Sequence, residues 1–252
     1  MSLPYNSEKE LFLHIACFFI GKDVDYVVKI LEPDYSATSG IQTLINRCLL
    51  FVSPNRKLMM HRLLQEMGKN IVRQESTKFP AKRSRVWLSS DSYMILSKGK
   101  GSKKIEGLVL DMRMLSDENF VLKSSPLKID TLTKMVNLKL LQLNFVEFNG
   151  YFVDMQNLVF RDLRWLCWHG YRLRWIPTNL DMRNLVAIDL SYSKLSEFKP
   201  PTVLHSLQIL NLKDSHNLIE VSKIYRIPNL ETLILWNCYK VAISRCCTNS
   251  IL

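Results

Sequence analysis

A histidine stands between a short apolar strand and an amphipathic helix in the stretch KLMMHRLLQEMGKNIVRQES, residues 57–76. An imidazole at such a junction can serve as a general base, a metal ligand, a phosphate contact or a cap for the helix. No cysteine or carboxylate near His61 in the sequence is placed to orient it as a base, since Glu66 falls on a different part of the helix. From these residues alone, His61 is predicted to cap the helix.

Other residue types that carry chemistry lack the spacing that the chemistry requires. The sequence contains no H-E-x-x-H, C-x-x-C or G-x-S-x-G pattern. His169, His205 and His216 are expected in turns, without partners at the spacing of metal ligands. The phosphate-cradling pattern G-x-x-x-x-G-K-[ST] does not occur either. We therefore predict no catalysis, no metal site and no tight nucleotide binding by this chain alone.

The formal net charge of +11 is concentrated in the first part of the chain. Residues 1–104 carry 17 Lys and Arg against 9 Asp and Glu, a balance of +8, and the densest cluster is KFPAKRSR at 78–85. Such a surface attracts nucleic acid, phosphate or acidic partners, although a solvated basic loop is the simpler explanation.

Composition indicates a protein of a reducing compartment. Six scattered cysteines form no paired motif, and Cys17 and Cys48 lie in apolar runs that predict burial. The most apolar run, at residues 11–20, is too short to span a bilayer, and the first residues lack the pattern of a signal peptide. The expected location is the cytoplasm, with the nucleus as an alternative.

Residues 1–100 are predicted to form helices followed by a small β wing, which is typical of a winged-helix domain. DNA binding is therefore one alternative, but the third helix offers few polar side chains to read base edges. The predicted elements are a helix from near Glu8 after a capping box at Ser7 and Glu10, helices at 23–31 (limited by Pro33) and 39–50, a hairpin at 51–60, and a helix from Arg62 with a stripe of Leu63, Leu64, Met67, Ile71 and Val72.

Residues 101–252 repeat the pattern L-x-x-L-x-L after a basic, glycine-containing linker at 98–104. This pattern and its period of 22 to 25 residues are those of leucine-rich repeats, in which each strand buries its apolar side against neighbours. Ser193, Ser215 and Cys238 fall at the turn that leaves the strand. We therefore predict a mixed α+β and α/β chain, with a winged-helix domain followed by a leucine-rich-repeat solenoid. The copies are IEGLVL (105–110), LKLLQL (138–143), LRWLCW (163–168), LVAIDL (185–190), LQILNL (207–212) and LETLIL (230–235).

The variable positions of these strands, Cys167 among them, are expected on the concave face of the solenoid. Their middle column, from Leu140 to Thr232, is unusually apolar for an exposed surface. A partner-binding surface and packing against another domain explain this equally well. The tail at 241–252 neither completes a repeat nor forms a polar cap, so the sequence looks truncated. The residues predicted to bind a partner are Leu140, Gln142, Arg164, Trp165, Ala187, Asp189, Ile209, Asn211, Thr232 and Ile234.

Several motifs occur in a fixed order along the chain: LFLHIACFF (11–19), LINRCLL (44–50), MHRLLQEMGKNIVRQES (60–76), RSRVW (83–87) and KKIEGLVLDM (103–112). These motifs resemble those of plant nucleotide-binding leucine-rich-repeat disease-resistance receptors, most closely the class with an N-terminal TIR domain. The resemblance implies that residues 1 to about 100 are the winged-helix part of the nucleotide-binding module. It also implies an intracellular immune switch, in which ADP holds the resting state and ATP accompanies activation and oligomer assembly.

The resemblance also gives His61 a second role. The methionine-histidine-aspartate motif of the family falls on Met60, His61 and Arg62, and in the family this histidine contacts the β-phosphate of ADP. The partial positive charge of a helix N-terminus suits such a contact. Arg62 replaces the aspartate of the family and reverses its charge, although an arginine can itself bind phosphate. His14 also replaces an aspartate of the family and is expected to be a buried structural residue.

The function implied is that of a truncated immune receptor that acts through protein–protein interaction. Its repeats would bind a nucleotide-binding domain, in the same or another chain, or a pathogen or host protein. His61 would complete an ADP or ATP site formed mostly by residues elsewhere. The alternatives are a winged-helix DNA-binding protein and a non-functional receptor remnant, and nucleic acid is not the expected partner.

Overall fold

The computed structural model describes residues 5–115, 125–149, 161–177 and 180–241. These residues form a helical unit and a parallel sheet, each with its own apolar core. Within the described ranges, no helix combines the length and the apolar character needed to cross a membrane. The tail predicted to lack a polar cap falls outside the described residues from residue 242 onward.

The helical unit is the predicted winged-helix domain. Its first helix continues into a π-helical turn at Ile15–Phe19, and Phe19 at the end of that turn is fully buried. The next helix is capped by Asp23, whose Oδ1 accepts hydrogen bonds from the backbone N–H groups of Asp25 and Tyr26. Its elements are α1 (Tyr5–His14), α2 (Val24–Tyr35), α3 (Ala37–Asn46), the antiparallel hairpin of β1 (Phe51–Val52) and β2 (Leu58–Met59), and α4 (Arg62–Gln74).

Three helix boundaries and one burial prediction were wrong. Helix α1 begins before Glu8, so Ser7 lies inside it and donates its hydroxyl to the Tyr35 carbonyl at 3.5 Å instead of capping. Helix α2 continues through Pro33 for two more residues, since a proline this close to the end removes only one backbone donor. Helix α3 ends early because Cys48 adopts a φ of 57° in the following turn, which leaves its side chain exposed.

The second unit is a parallel sheet of seven strands: β3 (Arg85–Val86), β4 (Gly107–Asp111), β6 (Leu140–Asn144), β8 (Trp165–His169), β9 (Ala187–Asp189), β11 (Ile209–Asn211) and β13 (Thr232–Ile234). Their order across the sheet is β13-β11-β9-β8-β6-β4-β3. Each of the six repeat copies found in the sequence contains one strand, and the middle column runs in register through Leu140, Trp165, Ala187, Ile209 and Thr232.

Strand β3 joins the two units. It follows the winged-helix domain in the chain but pairs in parallel with β4, and helix α5 (Ser89–Ser97) then packs beside that strand. The Arg85 guanidinium is fully buried and donates to Glu10 Oε2 at 2.7 Å. The sheet therefore begins before residue 100, while the division into domains at 1–100 and 101–252 stays a prediction.

A second, irregular layer covers the other side of the sheet and encloses its core. The turns leaving the strands carry the small polar residues expected there: Ser193 Oγ lies 2.8 Å from Ser215 Oγ, and Cys238 Sγ donates to the Leu212 carbonyl at 3.0 Å. This layer contains two short parallel pairs, β5 (Leu127–Lys128) with β7 (Phe148–Asn149) and β10 (Glu197–Phe198) with β12 (Glu220–Val221).

Candidate functional site

The winged-helix domain lies directly on the variable positions of the sheet, which we call the covered face. Leu140, Trp165, Ala187 and Ile209 belong to the same apolar core as the helices and are at most 6% exposed. A second molecule cannot reach these four side chains while the helices stay in place. Contact with the winged-helix domain therefore accounts for the apolar character of these side chains. Their role in binding a partner remains a prediction.

Trp165 is the centre of this contact. Its indole Nε1 donates to the Tyr26 hydroxyl at 2.6 Å, and its ring centroid lies 5.2 Å from that of Phe19. Burial raises the pKa of Tyr26 well above its ordinary value, so the hydroxyl stays neutral and can accept this bond. Beside it, Phe18 lies so close to Gly107 that an added Cβ would stand 2.4 Å from its ring. The close approach of the two units explains why Gly107 has no side chain.

Charged groups connect the rim of the contact. Asp34 on α2 accepts a hydrogen bond from Arg164 Nη2 at 3.2 Å and lies 3.5 Å from Lys139 Nζ. Lys139 also donates to the Tyr35 hydroxyl at 3.1 Å. Arg164, predicted to bind a partner, is therefore paired with a carboxylate of the winged-helix domain. Partly buried ion pairs of this kind add little net stability, so their main effect is to fix the orientation of the winged-helix domain on the sheet.

His14 lies in the buried polar part of the contact, as the sequence predicted. Its Nδ1 accepts from Arg85 Nε at 3.2 Å, and its Nε2 lies 2.8 Å from the Tyr35 hydroxyl. Burial lowers the pKa of His14 well below its ordinary value, and the charges of Arg85 and Lys139 lower it further. The imidazole is therefore neutral and links the two units by hydrogen bonds.

The remaining predicted residues of the covered face are half-buried. Asn211 Nδ2 donates to Asp189 Oδ2 at 3.0 Å, which extends a polar row across the sheet. Asp189, Asn211, Thr232 and Ile234 line one wall of a cavity of about 230 Å³, and Asp23, Tyr26 and Lys29 of the winged-helix domain line the other. Gln142 on β6 lies in register with Cys167 on β8, so strand β8 separates it from this cavity.

The structure places a cluster on the covered face that the sequence analysis did not identify. Cys167 Sγ lies 3.3 Å from His169 Nε2, and that nitrogen lies 3.3 Å from Asp189 Oδ1. All three atoms lie within 4.8 Å of one another. His169 therefore has partners of the kind that bind metals, contrary to the expectation, because the pairing of β8 with β9 brings Asp189 beside it. A C-x-H pair aligned with an aspartate one repeat later was the available signal.

His61 occupies the capping position that its own sequence context predicted. Its Nδ1 accepts a hydrogen bond from the Leu63 backbone N–H at 3.2 Å, at the start of α4. A neutral imidazole that accepts through Nδ1 carries its proton on Nε2, where it can donate to another group. His61 and Arg62 are both exposed side by side at this helix N-terminus.

Comparison with known proteins gives consistent matches. Residues 5–76 match the family described as Disease resistance protein Roq1-like, winged-helix domain. Disease resistance protein RUN1 of Vitis rotundifolia is 33% identical over 263 residues, which cover 92% of this chain and 19% of the relative. Disease resistance protein RRS1 of Arabidopsis thaliana is 31% identical over 264 residues, which cover 94% of this chain and 19% of the relative. The chain thus spans about a fifth of the length of these relatives.

Proposed function

We propose that this chain is a segment of an intracellular plant immune receptor, because residues 5–76 match the winged-helix domain of Roq1-like disease resistance proteins. The resemblance drawn from the motifs is confirmed, since disease resistance proteins align with more than nine-tenths of the chain. In this proposal the sheet is the start of a leucine-rich-repeat solenoid, and its residues act in the cytoplasm or nucleus by binding, without catalysis. The relatives do not favour the DNA-binding alternative.

The observation that carries the mechanism is the docking of the winged-helix domain on the covered face. We propose that the repeats bind the nucleotide-binding module in the same chain, and that this contact acts as a latch in the resting receptor. Trp165 with Tyr26 supplies its apolar centre, and Asp34 with Arg164 supplies its charged rim. A partner protein or nucleotide that binds the undocked receptor more tightly than the docked one would open a latch of this kind.

A nucleotide contact at His61 is the second part of the proposal. Its Nδ1 is used by the helix cap, so Nε2–H can donate to a phosphate of ADP held mostly by residues elsewhere in the receptor. Arg62 adds positive charge at the same place. Exposed apolar side chains along α4, including Leu63, Met67 and Ile71, support the packing of a further receptor domain on this side. This chain alone is not expected to bind nucleotide tightly.

The nucleotide contact is tested by the ADP affinity of a receptor that includes the upstream domain. His61→Ala removes both the cap and the donor, whereas His61→Ser keeps a capping side chain that is too short to reach a phosphate. Loss of one hydrogen bond is expected to raise the Kd of both variants about tenfold. Equal ADP affinities for the wild type and both variants would remove His61 from the site.

The latch is tested by charge reversal in the full-length receptor. Asp34→Lys places a third positive charge beside Arg164 and Lys139, so it should loosen the docking and raise immune signalling without a pathogen. Arg164→Asp in the same receptor restores an opposite-charge pair and should return signalling toward the wild-type level. Wild-type signalling by the single Asp34→Lys receptor would contradict the latch.

A further inference from the structure

Three side chains with metal-binding atoms meet on the covered face, and they have no part in the proposed latch or nucleotide contact. Cys167 and His169 are two residues apart on β8, so both side chains project from the same side of the strand. Asp189 on β9 is the in-register neighbour of Cys167. The regular pairing of the two strands therefore holds a thiol, an imidazole and a carboxylate together.

The distances between these atoms suit a tetrahedral zinc ion. Zinc bonds of about 2.3 Å to sulfur and about 2.0–2.1 Å to nitrogen and oxygen place neighbouring ligand atoms roughly 3.2–3.6 Å apart. In this cluster, Cys167 Sγ lies 3.3 Å from His169 Nε2, and Asp189 Oδ1 lies 3.3 Å from the same nitrogen. The remaining sulfur–oxygen pair is within 4.8 Å, so a small rotation of side chains would complete the geometry.

Outer partners already orient the carboxylate. Ser191 donates to Asp189 Oδ1 from both its backbone N–H and its hydroxyl, and Asn211 donates to Oδ2. Hydrogen bonds of this kind fix the direction of a metal-binding carboxylate and strengthen metal binding. An aspartate carboxylate is ordinarily ionised at neutral pH, so Asp189 offers a negatively charged oxygen to a cation.

The thiol is the group that a metal would change most. A coordinated zinc ion removes the proton of a thiol outright, so binding would release one proton to solvent and leave Cys167 as a thiolate. The two negative ligands then balance the charge of the ion.

The cluster is open enough for an ion to enter. The side chains of His169 and Asp189 are each 21% exposed, whereas Cys167 is buried at the inner end. Three protein ligands leave one position of a tetrahedron for water. We propose that Cys167, His169 and Asp189 bind one zinc ion that ties β8 to β9 on the covered face.

Cobalt(II) provides a direct test, because it takes the same tetrahedral sites and reports thiolate ligation by colour. The full 252-residue chain is freed of metal with a chelator, kept reduced with a phosphine and titrated with cobalt. A thiolate-to-cobalt absorption band that saturates at one equivalent and is reversed by zinc supports the proposal. A folded chain that shows no such band overturns it.

Variants show which residues bind the ion. Cys167→Ser should abolish the band, while Cys238→Ser, which removes another partly buried thiol, should leave it unchanged. A band that persists in Cys167→Ser, where exposed Cys48 is still present, would overturn the assignment.

If circular dichroism shows that Cys167→Ser does not fold, His169→Gln tests the site instead, because the His169 side chain is partly exposed. It keeps the thiol, and it should weaken zinc binding about tenfold or more in competition with a chromophoric chelator. Unchanged zinc affinity in His169→Gln would equally overturn the site.

Discussion

Replacement of Trp165 by alanine is the sharpest test of the contact between the winged-helix domain and the sheet. The indole is 1% exposed, packs against Phe19 and donates a hydrogen bond to the Tyr26 hydroxyl. Truncation of a buried tryptophan costs about 3–5 kcal/mol, and a buried hydroxyl left without its partner adds about 1–3 kcal/mol. The sum is comparable to the whole stability of many domains, about 5–15 kcal/mol.

The measurement is the free energy of unfolding of the chain in urea, followed by circular dichroism, with limited proteolysis to detect undocking. Trp165→Phe keeps most of the apolar contact but loses the donor, so it should cost only about 1–3 kcal/mol. Trp236→Ala is the matched control, because that indole is 63% exposed and contacts the Lys213 ammonium at 4.4 Å. An exposed contact of this kind is worth about 0.5–1 kcal/mol.

The reasoning fails if Trp165→Ala costs no more than Trp236→Ala. Such a result would mean that Trp165 is solvated in solution and that the winged-helix domain does not rest on the covered face. A large loss of stability without new proteolytic cleavage between the units would instead show that the whole chain unfolds as one cooperative unit.

Three further predictions concern single contacts. The pKa of His14 is lower in the folded state than in the unfolded chain, because the buried imidazole resists protonation. The free energy of unfolding should therefore be highest above about pH 6.5 and should fall by up to about 1.4 kcal/mol per pH unit as the pH decreases below this value. Urea titrations at pH 7 and pH 5 should show a smaller difference for His14→Gln, and an unchanged difference would contradict a buried neutral imidazole. Gly107→Ala drives a methyl group into the Phe18 ring and should cost about 1–3 kcal/mol in thermal unfolding, whereas an unaltered melting temperature would exclude this close approach. His61→Ala removes the acceptor for the Leu63 N–H and should cost about 0.5–1 kcal/mol, which His61→Ser should largely restore; equal loss in both would show that the cap contributes nothing.

The sequence predicted the strands of the sheet because their pattern is repeated. Six copies of one motif identify six strands, and the same alignment places Leu140, Trp165 and Ala187 in one column. The hairpin and the start of α4 at Arg62 were also predictable, since a Pro-Asn turn and a helical stripe are local signals. Strand β3 could not be predicted, because two residues are too few to show an alternating pattern and the strand forms only by pairing with β4.

The covered face could not be predicted because its contacts are distant in the chain. Lys29 pairs with Glu231, and no spacing within either segment indicates that they meet. An apolar column in the sequence has the same pattern whether a partner protein or another part of the chain covers it. Only the position of the helices in the structure distinguishes these two cases. The cluster at Cys167, His169 and Asp189 was missed for a related reason, since two strands must pair before the ligands meet.

The docking of the first unit on later strands has a consequence for the order in which this chain folds. The winged-helix domain leaves the ribosome before the sheet. The hydrogen bond from Trp165 to Tyr26 nevertheless closes a loop of 139 residues, and the pair of Lys29 with Glu231 closes one of 202 residues. Contacts of such high sequence separation form late because of the entropy of closing long loops. Until the strand that carries Trp165 has been synthesised, Phe19 lacks its partner on the sheet, so the growing chain presents an apolar surface that chaperones recognise. Synthesis rate and chaperone supply should therefore influence the yield of this protein more than its final stability does.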